Sequence, residues 1–196
     1  MRSSSRRAVL SSRNAHKAVE LERLMPGWTI VPLDRDDYPP ETGGSYVENA
    51  RAKARFGHAA GGGSVWALGE DSGLEVAALG GRPGIESARY APEGPPAIAK
   101  LLGELAGVPA GRRGARYVSE IVAVAPDGEE LRGTGTLEGR IGDEPRGSEG
   151  FGYDPVFVPE GEERTVAELG NDWKARNSHR ARAARALLEA LDAAGV

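Results

Sequence analysis

The chain contains no cysteine. That absence removes a thiol nucleophile, a thiolate metal site and a disulfide scaffold together. Its three histidines are too few for a histidine-rich zinc site. No apolar run is long enough to span a membrane, and the run after the basic start, Met1 to Leu10, is too short for the core of a signal peptide. A cytoplasmic protein with no membrane partner is expected. An excess of positive charge is missing too, since 25 basic residues face 29 acidic ones for a net charge of −4. No global field therefore draws the chain to a nucleic-acid polymer, and any phosphate recognition has to be local. Lysine is scarce as well: Lys17, Lys53, Lys100 and Lys174 are all there are, every other basic residue being arginine. An ammonium is a compact point charge suited to polyphosphate oxygens, so each lysine is a candidate for a specific task.

What is present fits one domain over residues 1–196, with 1–7 expected to be the least ordered. Residues 8–12 predict a short buried strand, followed by a helix capped by Asn14 whose core face is Ala18, Val19, Leu21, Leu24 and Met25. Ser12, Arg13, Asn14 and Lys17 surround that strand-to-helix turn, where free N–H groups and the helix dipole favour an anion. The Walker pattern is absent, and taken alone the segment reads better as an ordinary Asn14 cap with Lys17 as a solvated charge. Trp28 to Leu33 predicts a second strand. A helix restarts behind the capping box Ser45-x-x-Glu48, just after Glu41, and carries Asn49 and Lys53 on one face. Residues 58–64, rich in glycine and alanine, predict a loop.

Glu70 and Asp71 stand side by side where the apolar run Val65 to Leu68 gives way to Ser72 and Gly73. Adjacent acids repel unless a hard cation or a shared proton relieves them, and a strand end is a place to hold such a cation. The small residues that follow predict a turn, with Leu74 to Val76 as a separate extended piece. An Asx turn, with Asp71 bonding its own backbone, accounts for the segment equally well. A helix over residues 95–106 and a hairpin over 115–125 and beyond Gly128 complete the scaffold. Gly150, Phe151, Gly152, Tyr153, Asp154 and Pro155 form a stiff loop that could stack a flat ring on Phe151 while Asp154 reads its edge; a hydrophobic plug is the plainer alternative. Lys174, His179 and Arg180 cluster where Ser178 starts the C-terminal helix, and could grip a carbonyl or phosphates.

Seven motifs in order resemble the inosine triphosphate pyrophosphatase family over about residues 8 to 190. They are Ser12-Arg13-Asn14-Ala15-His16-Lys17, Glu41 through Glu48-Asn49-Ala50 to Lys53, Glu70-Asp71-Ser72-Gly73-Leu74, Gly81 to Arg89, Gly150 to Pro155, Ala167-Glu168-Leu169, and Lys174 with Ser178-His179-Arg180. The resemblance implies an α/β fold with a long mixed β-sheet and flanking helices, two lobes around a central cleft, and a homodimer. It also implies hydrolysis of ITP, dITP or XTP, non-standard purine nucleoside triphosphates, to the monophosphate and pyrophosphate with Mg²⁺. Residues 12–17 would then cradle the triphosphate, with Lys53 and Lys174 adding charge at the leaving pyrophosphate. Phe151, Asp154, His179 and Arg180 would meet the base, and Ser72, Arg89, Gly152 and Tyr153 complete the implied substrate-binding residues. Glu41 and Asp71, with Glu70 as a third acid, would hold Mg²⁺, and Asp71 matches the family's proton acceptor. Glu70 stands where the family usually has aspartate, Glu86 where an apolar residue is common, Ser11 where alanine is, and Arg13 where glycine is frequent. A pyrophosphatase for other modified nucleotides, and a non-catalytic nucleotide sensor, are the alternatives.

Overall fold

The computed structural model describes residues 6–12, 15–35 and 37–196, the side chains of Ala15 and His16 excepted. The chain runs β1 (Arg6–Leu10), α1 (Ala15–Leu24), β2 (Trp28–Pro32), α2 (Tyr46–Ala60), β3 (Trp66–Val76), β4 (Pro83–Gly84), α3 (Pro95–Glu104), β5 (Gly114–Val124), β6 (Glu130–Ile141), β7 (Phe157–Pro159), α4 (Val166–Leu169), α5 (Asn171–Asn177) and α6 (His179–Ala193). The strands form one sheet in the order β2-β1-β3-β5-β6-β7, with β4 alongside β3. It is a mixed sheet: β1 runs parallel to β2 and β3, whereas β4 on β3 and β7 on β6 are antiparallel. The expected mixed α/β class is what the chain adopts.

Two compact units share these elements. The first comprises residues up to Asp71, Ser119–Gly135 and Arg180–Val196. Its core joins Leu10, Leu68 and Ile121 of the sheet to Ala18 and Leu21 of α1, Met25 just after it, and Ala184, Leu187 and Leu191 of α6. Because side chains alternate along a strand, Ile121 and Ala123 of β5 join that cluster while Val122 and Val124 pack on Ala50 and Ala54 of α2. The sheet within this unit is thus covered on both faces. The second unit, Ser72–Val118 and Thr136–His179, gathers Leu74 and Val76 with Tyr117, Leu137, Ile141, Phe157 and the inner face of α3.

Local signals hold where chemistry is short-range. Ser45 caps α2 by accepting from the Glu48 N–H, though the Glu48 carboxylate reaches back to the Gly44 N–H rather than to Ser45. Thr165 and Glu168 form the complete box before α4. Three expectations need correction. Residues 58–60 are helical, as α2 runs to Ala60. Val19 is 70% exposed, because α1 presents the 18, 21, 25 stripe inward and residue 19 lies about 100° round the helix from residue 18. Most consequential, the acids sit in no turn. Strand β3 continues unbroken through Glu70, Asp71, Ser72 and Gly73 to Val76, with β4 paired to Leu74 and Glu75, which excludes an Asx turn at Asp71.

Candidate active site

In the first unit the site begins with how closely α2 lies on the sheet. A Cβ on Gly69 would fall 2.0 Å from the Ala50 carbonyl oxygen and 2.5 Å from the Ala54 nitrogen. The missing side chain lets helix backbone meet strand backbone, which carries Asn49 and Lys53 to the acids that follow in β3. Asn49 Nδ2 donates to Asp71 Oδ2 at 3.1 Å, and its Oδ1 accepts from the Gly43 N–H at 2.9 Å. One buried carboxamide thereby ties the loop bearing Glu41 to Asp71. Lys53 Nζ donates to Asp71 Oδ1 at 2.9 Å and to the Glu70 carbonyl at 3.2 Å, and it is ion-paired with Glu41 Oε1.

Glu70 points elsewhere. Its carboxylate is fully buried, ion-paired with Lys17 of α1, and accepts from Arg180 at 3.2 Å and from Ser119 Oγ at 3.0 Å. Arg180, 1% exposed, also pairs with Glu20 of α1. Burial alone would raise the Glu70 carboxyl, but Arg180 and then Lys17 hold it well below the ordinary carboxylate range. Asp71 shifts the other way. Burial outweighs the pull of Lys53 and Asn49, and the Asp71 carboxyl sits above its usual value. Burial also works against the Lys53 ammonium, yet Asp71 and Glu41 more than compensate and keep it protonated. Two adjacent acids thus have opposite tasks: Glu70 is a fixed anion for cations, and Asp71 is the more basic of the pair.

The second unit holds the aromatic loop. Asp154 is 2% exposed, and its Oδ2 accepts from the Phe151 N–H at 2.9 Å and from Lys174 Nζ at 2.8 Å. The same ammonium lies 3.7 Å from the Phe151 ring centroid, a cation–π contact. Gly150 is required twice over, by a φ of +80° and because a Cβ there would meet Asp154 Oδ2 at 2.2 Å. Tyr117 stacks on His179 with centroids 4.6 Å apart and 9° between planes, and its hydroxyl makes a long 3.4 Å contact to Asp154 Oδ1. Tyr153 is buried, and its hydroxyl, pushed up to about 12 by that burial and then by Glu93, donates to the Ser87 carbonyl.

The sequence-predicted residues therefore fall into separate groups. Lys17, Glu41, Lys53, Glu70, Asp71 and Arg180 belong to the first unit's network, and Phe151, Asp154, Lys174 and His179 to the second's. The expected cluster of Lys174, His179 and Arg180 resolves into three different partnerships, with Asp154, Tyr117 and the two glutamates. Asp154 is an internal acceptor already serving Phe151 and Lys174, rather than an open edge. Arg89 is exposed in a two-point ion pair with Glu86, Ser12 and Ser72 are half-buried, and Gly152 takes a φ of +62° in the loop. Arg13 and Asn14 lie outside the described residues, as do the side chains of Ala15 and His16. Glu20, Tyr117 and Ser119 were not anticipated. The one available signal was Ser119 itself, a hydroxyl between Val118 and the Glu120 that precedes the apolar end of β5.

This geometry defines a mixed α/β protein whose first unit concentrates acids and ammonium groups on a strand and a helix, and whose second presents an aromatic loop braced by a buried lysine. The Ham1 family model matches residues 8–190. A dITP/XTP pyrophosphatase from Symbiobacterium thermophilum is 47% identical over 97% of this chain and 97% of its own. One from Methylococcus capsulatus is 49% identical over 96% and 97%. The solved Staphylococcus aureus Ham1 protein superposes with a TM-score of 0.82 at 35% identity, over 97% of this chain and 100% of that one. The chain belongs to the Ham1 family, and the resemblance drawn from its seven motifs is borne out.

Proposed function

We propose that this protein hydrolyses deaminated purine nucleoside triphosphates such as ITP, dITP and XTP to the monophosphate and pyrophosphate, clearing them from the nucleotide pool. The observation that carries the proposal is the convergence of Glu41, Asp71 and the Glu70 carbonyl on the single ammonium of Lys53. Two carboxylate oxygens and a carbonyl aimed at one cation are the hard donor set that Mg²⁺ takes, its remaining positions being filled by water and substrate phosphates. Among the described residues no three acids or histidines gather as a ready metal site, so the ion relies on Glu41, Asp71 and the substrate. When bound there it supplies charge neutralisation at the phosphate oxygens. Asp71 accepts the proton of a water attacking the α-phosphorus. Lys17, held in place by Glu70, binds the triphosphate, and Lys53 adds positive charge as the pyrophosphate leaves. No covalent intermediate is required.

Base choice falls to the second unit in this proposal. Hypoxanthine and xanthine carry a C6 carbonyl and an N1–H where adenine has an amino group and a bare nitrogen. Lys174 and His179 donate toward the carbonyl, and the Phe151 ring supplies a stacking surface. Adenine offers those donors no acceptor at that position, which discriminates strongly. Mg²⁺ dependence, a homodimer and a cytoplasmic setting belong to the same proposal, as what the motif resemblance implies. No helix among the described residues is long and apolar enough to cross a membrane.

The test is pyrophosphate release from ITP, XTP, dITP, GTP, ATP and dTTP, with Mg²⁺ and with EDTA, on the wild type and on Asp71→Asn. Metal-dependent release confined mainly to ITP, XTP and dITP, and lowered roughly a hundred- to ten-thousand-fold in the variant, is expected for loss of a general base. Release from dTTP alone would move the substrate to other modified nucleotides, and no release from any would leave a nucleotide sensor.

A further inference from the structure

The three hydrogens of an ammonium are matched one for one around Lys53: Asp71 Oδ1 at 2.9 Å, the Glu70 carbonyl at 3.2 Å, and Glu41 Oε1. The lysine side chain is 12% exposed, so little water competes for it. These oxygens are held by parts of the chain other than Lys53. Asp71 lies inside β3 and accepts from Asn49, whose other end holds the Gly43 N–H of the loop bearing Glu41. A side chain at residue 43 would not fit there, since a Cβ would sit 2.6 Å from Asn49 Oδ1. Asp71 is held in its strand, and the ammonium that bridges it to Glu41 sits at the end of a four-carbon stem with several rotatable bonds.

A divalent cation taken up by Glu41 and Asp71 would occupy the position the ammonium now fills, and two cations cannot share it. We propose that Lys53 and the divalent cation compete for one set of oxygens, so that metal entry expels the ammonium and frees it to meet the leaving pyrophosphate. Without metal, Lys53 bridges Glu41 and Asp71 and is itself withheld from phosphate. With metal, the acids change partner and a phosphate-binding cation becomes available. Metal and triphosphate then assist each other's binding through this one side chain, and the assistance is reciprocal. The inference rests on the assignment of Glu41 and Asp71 as the metal's ligands.

Mn²⁺ binding measured by electron paramagnetic resonance without nucleotide tests it on the wild type, Lys53→Met, Lys53→Gln and Lys53→Arg. Removing the competing charge tightens Mn²⁺ binding in the Met and Gln variants by roughly 5- to 150-fold, the span of ordinary coupling between sites, whereas the Arg variant shows no tightening. Equal or weaker binding in both uncharged variants would overturn the inference. If the wild type binds no Mn²⁺ even with a non-hydrolysable α,β-imido analogue of ITP, the metal assignment itself fails. A second measurement needs no variant to fold. With only four lysines in the chain, ¹⁵N-lysine labelling resolves the Nζ signals, and one protected from exchange without metal loses that protection at saturating Mg²⁺. A protected set that is unchanged under those conditions also overturns the inference.

Discussion

Arg180 and Glu70 form an ion pair with neither side chain more than 1% exposed, at 3.2 Å. Glu70 carries Lys17 on its other oxygen, and Arg180 carries Glu20, so four charges and the Ser119 hydroxyl close one buried network. Such networks contribute little when complete against an apolar equivalent, but removing one member strands the rest.

Replacing Glu70 with glutamine leaves Arg180 and Lys17 short of one negative charge. A loss of about 3 kcal/mol in unfolding free energy at neutral pH is expected, and it is pH-dependent. The folded carboxyl lies below the ordinary value of 4.5, so its stabilisation is complete above that value and is lost as pH falls through the folded one. Urea midpoints of wild type and Glu70→Gln should therefore converge at low pH; a gap that stays constant from neutral pH into the acid range would contradict the ion-pair account. Because Glu70 acts here through Lys17, the variant should raise KM for ITP by about tenfold or more, the cost of a charge-assisted hydrogen bond, while Mn²⁺ binding stays near wild type. A collapse of Mn²⁺ binding would instead make Glu70 a metal ligand.

Gly69 is the spacing element of the site. A methyl group at this position meets the backbone of α2 at Ala50 and Ala54, which cannot yield as a flexible side chain would. Gly69→Ala should cost about 1–3 kcal/mol by overpacking, read as a lowered denaturation midpoint. It should also reduce kcat, because lifting α2 draws Asn49 and Lys53 from Asp71. Full activity in a destabilised Gly69→Ala protein would show that the α2 register is not what sets the site.

Much of this was legible in the sequence because the rules involved are local. The caps at Ser45 and Thr165 act within three residues, the Pro126–Gly128 turn joins β5 to β6, and Asn49 and Lys53 share a helix face by spacing alone. The acids' strand was misjudged for the complementary reason. Ser72 and Gly73 carry turn propensity, and burial with pairing to β4 overrides it. The tasks of Glu70 and Asp71 could not be separated in advance, since the partners that distinguish them are distant in the chain: Arg180 is 110 residues from Glu70 and Asn49 is 22 from Asp71.

Asp154 offers the sharpest separation between reading a base and holding the groups that do. Its Oδ2 already takes the Phe151 N–H and Lys174 Nζ, so its effect on specificity passes through the stacking ring and the buried ammonium. Asp154→Ala would release both, lowering the ratio of kcat/KM for ITP over ATP by about tenfold or more, as expected when a buried hydrogen-bonding site is lost. Activity on ATP should change less, since phosphate binding rests mainly on the first unit's lysines. Asp154→Asn keeps an acceptor for the Phe151 N–H and should fall between. Lys174→Met alone should lose a similar share of the preference, and combining it with Asp154→Ala should add little, because groups in one hydrogen-bonded unit are not additive. Independent, additive losses would mean that Asp154 contacts the base itself, and an unchanged preference ratio in Asp154→Ala would remove it from base selection altogether.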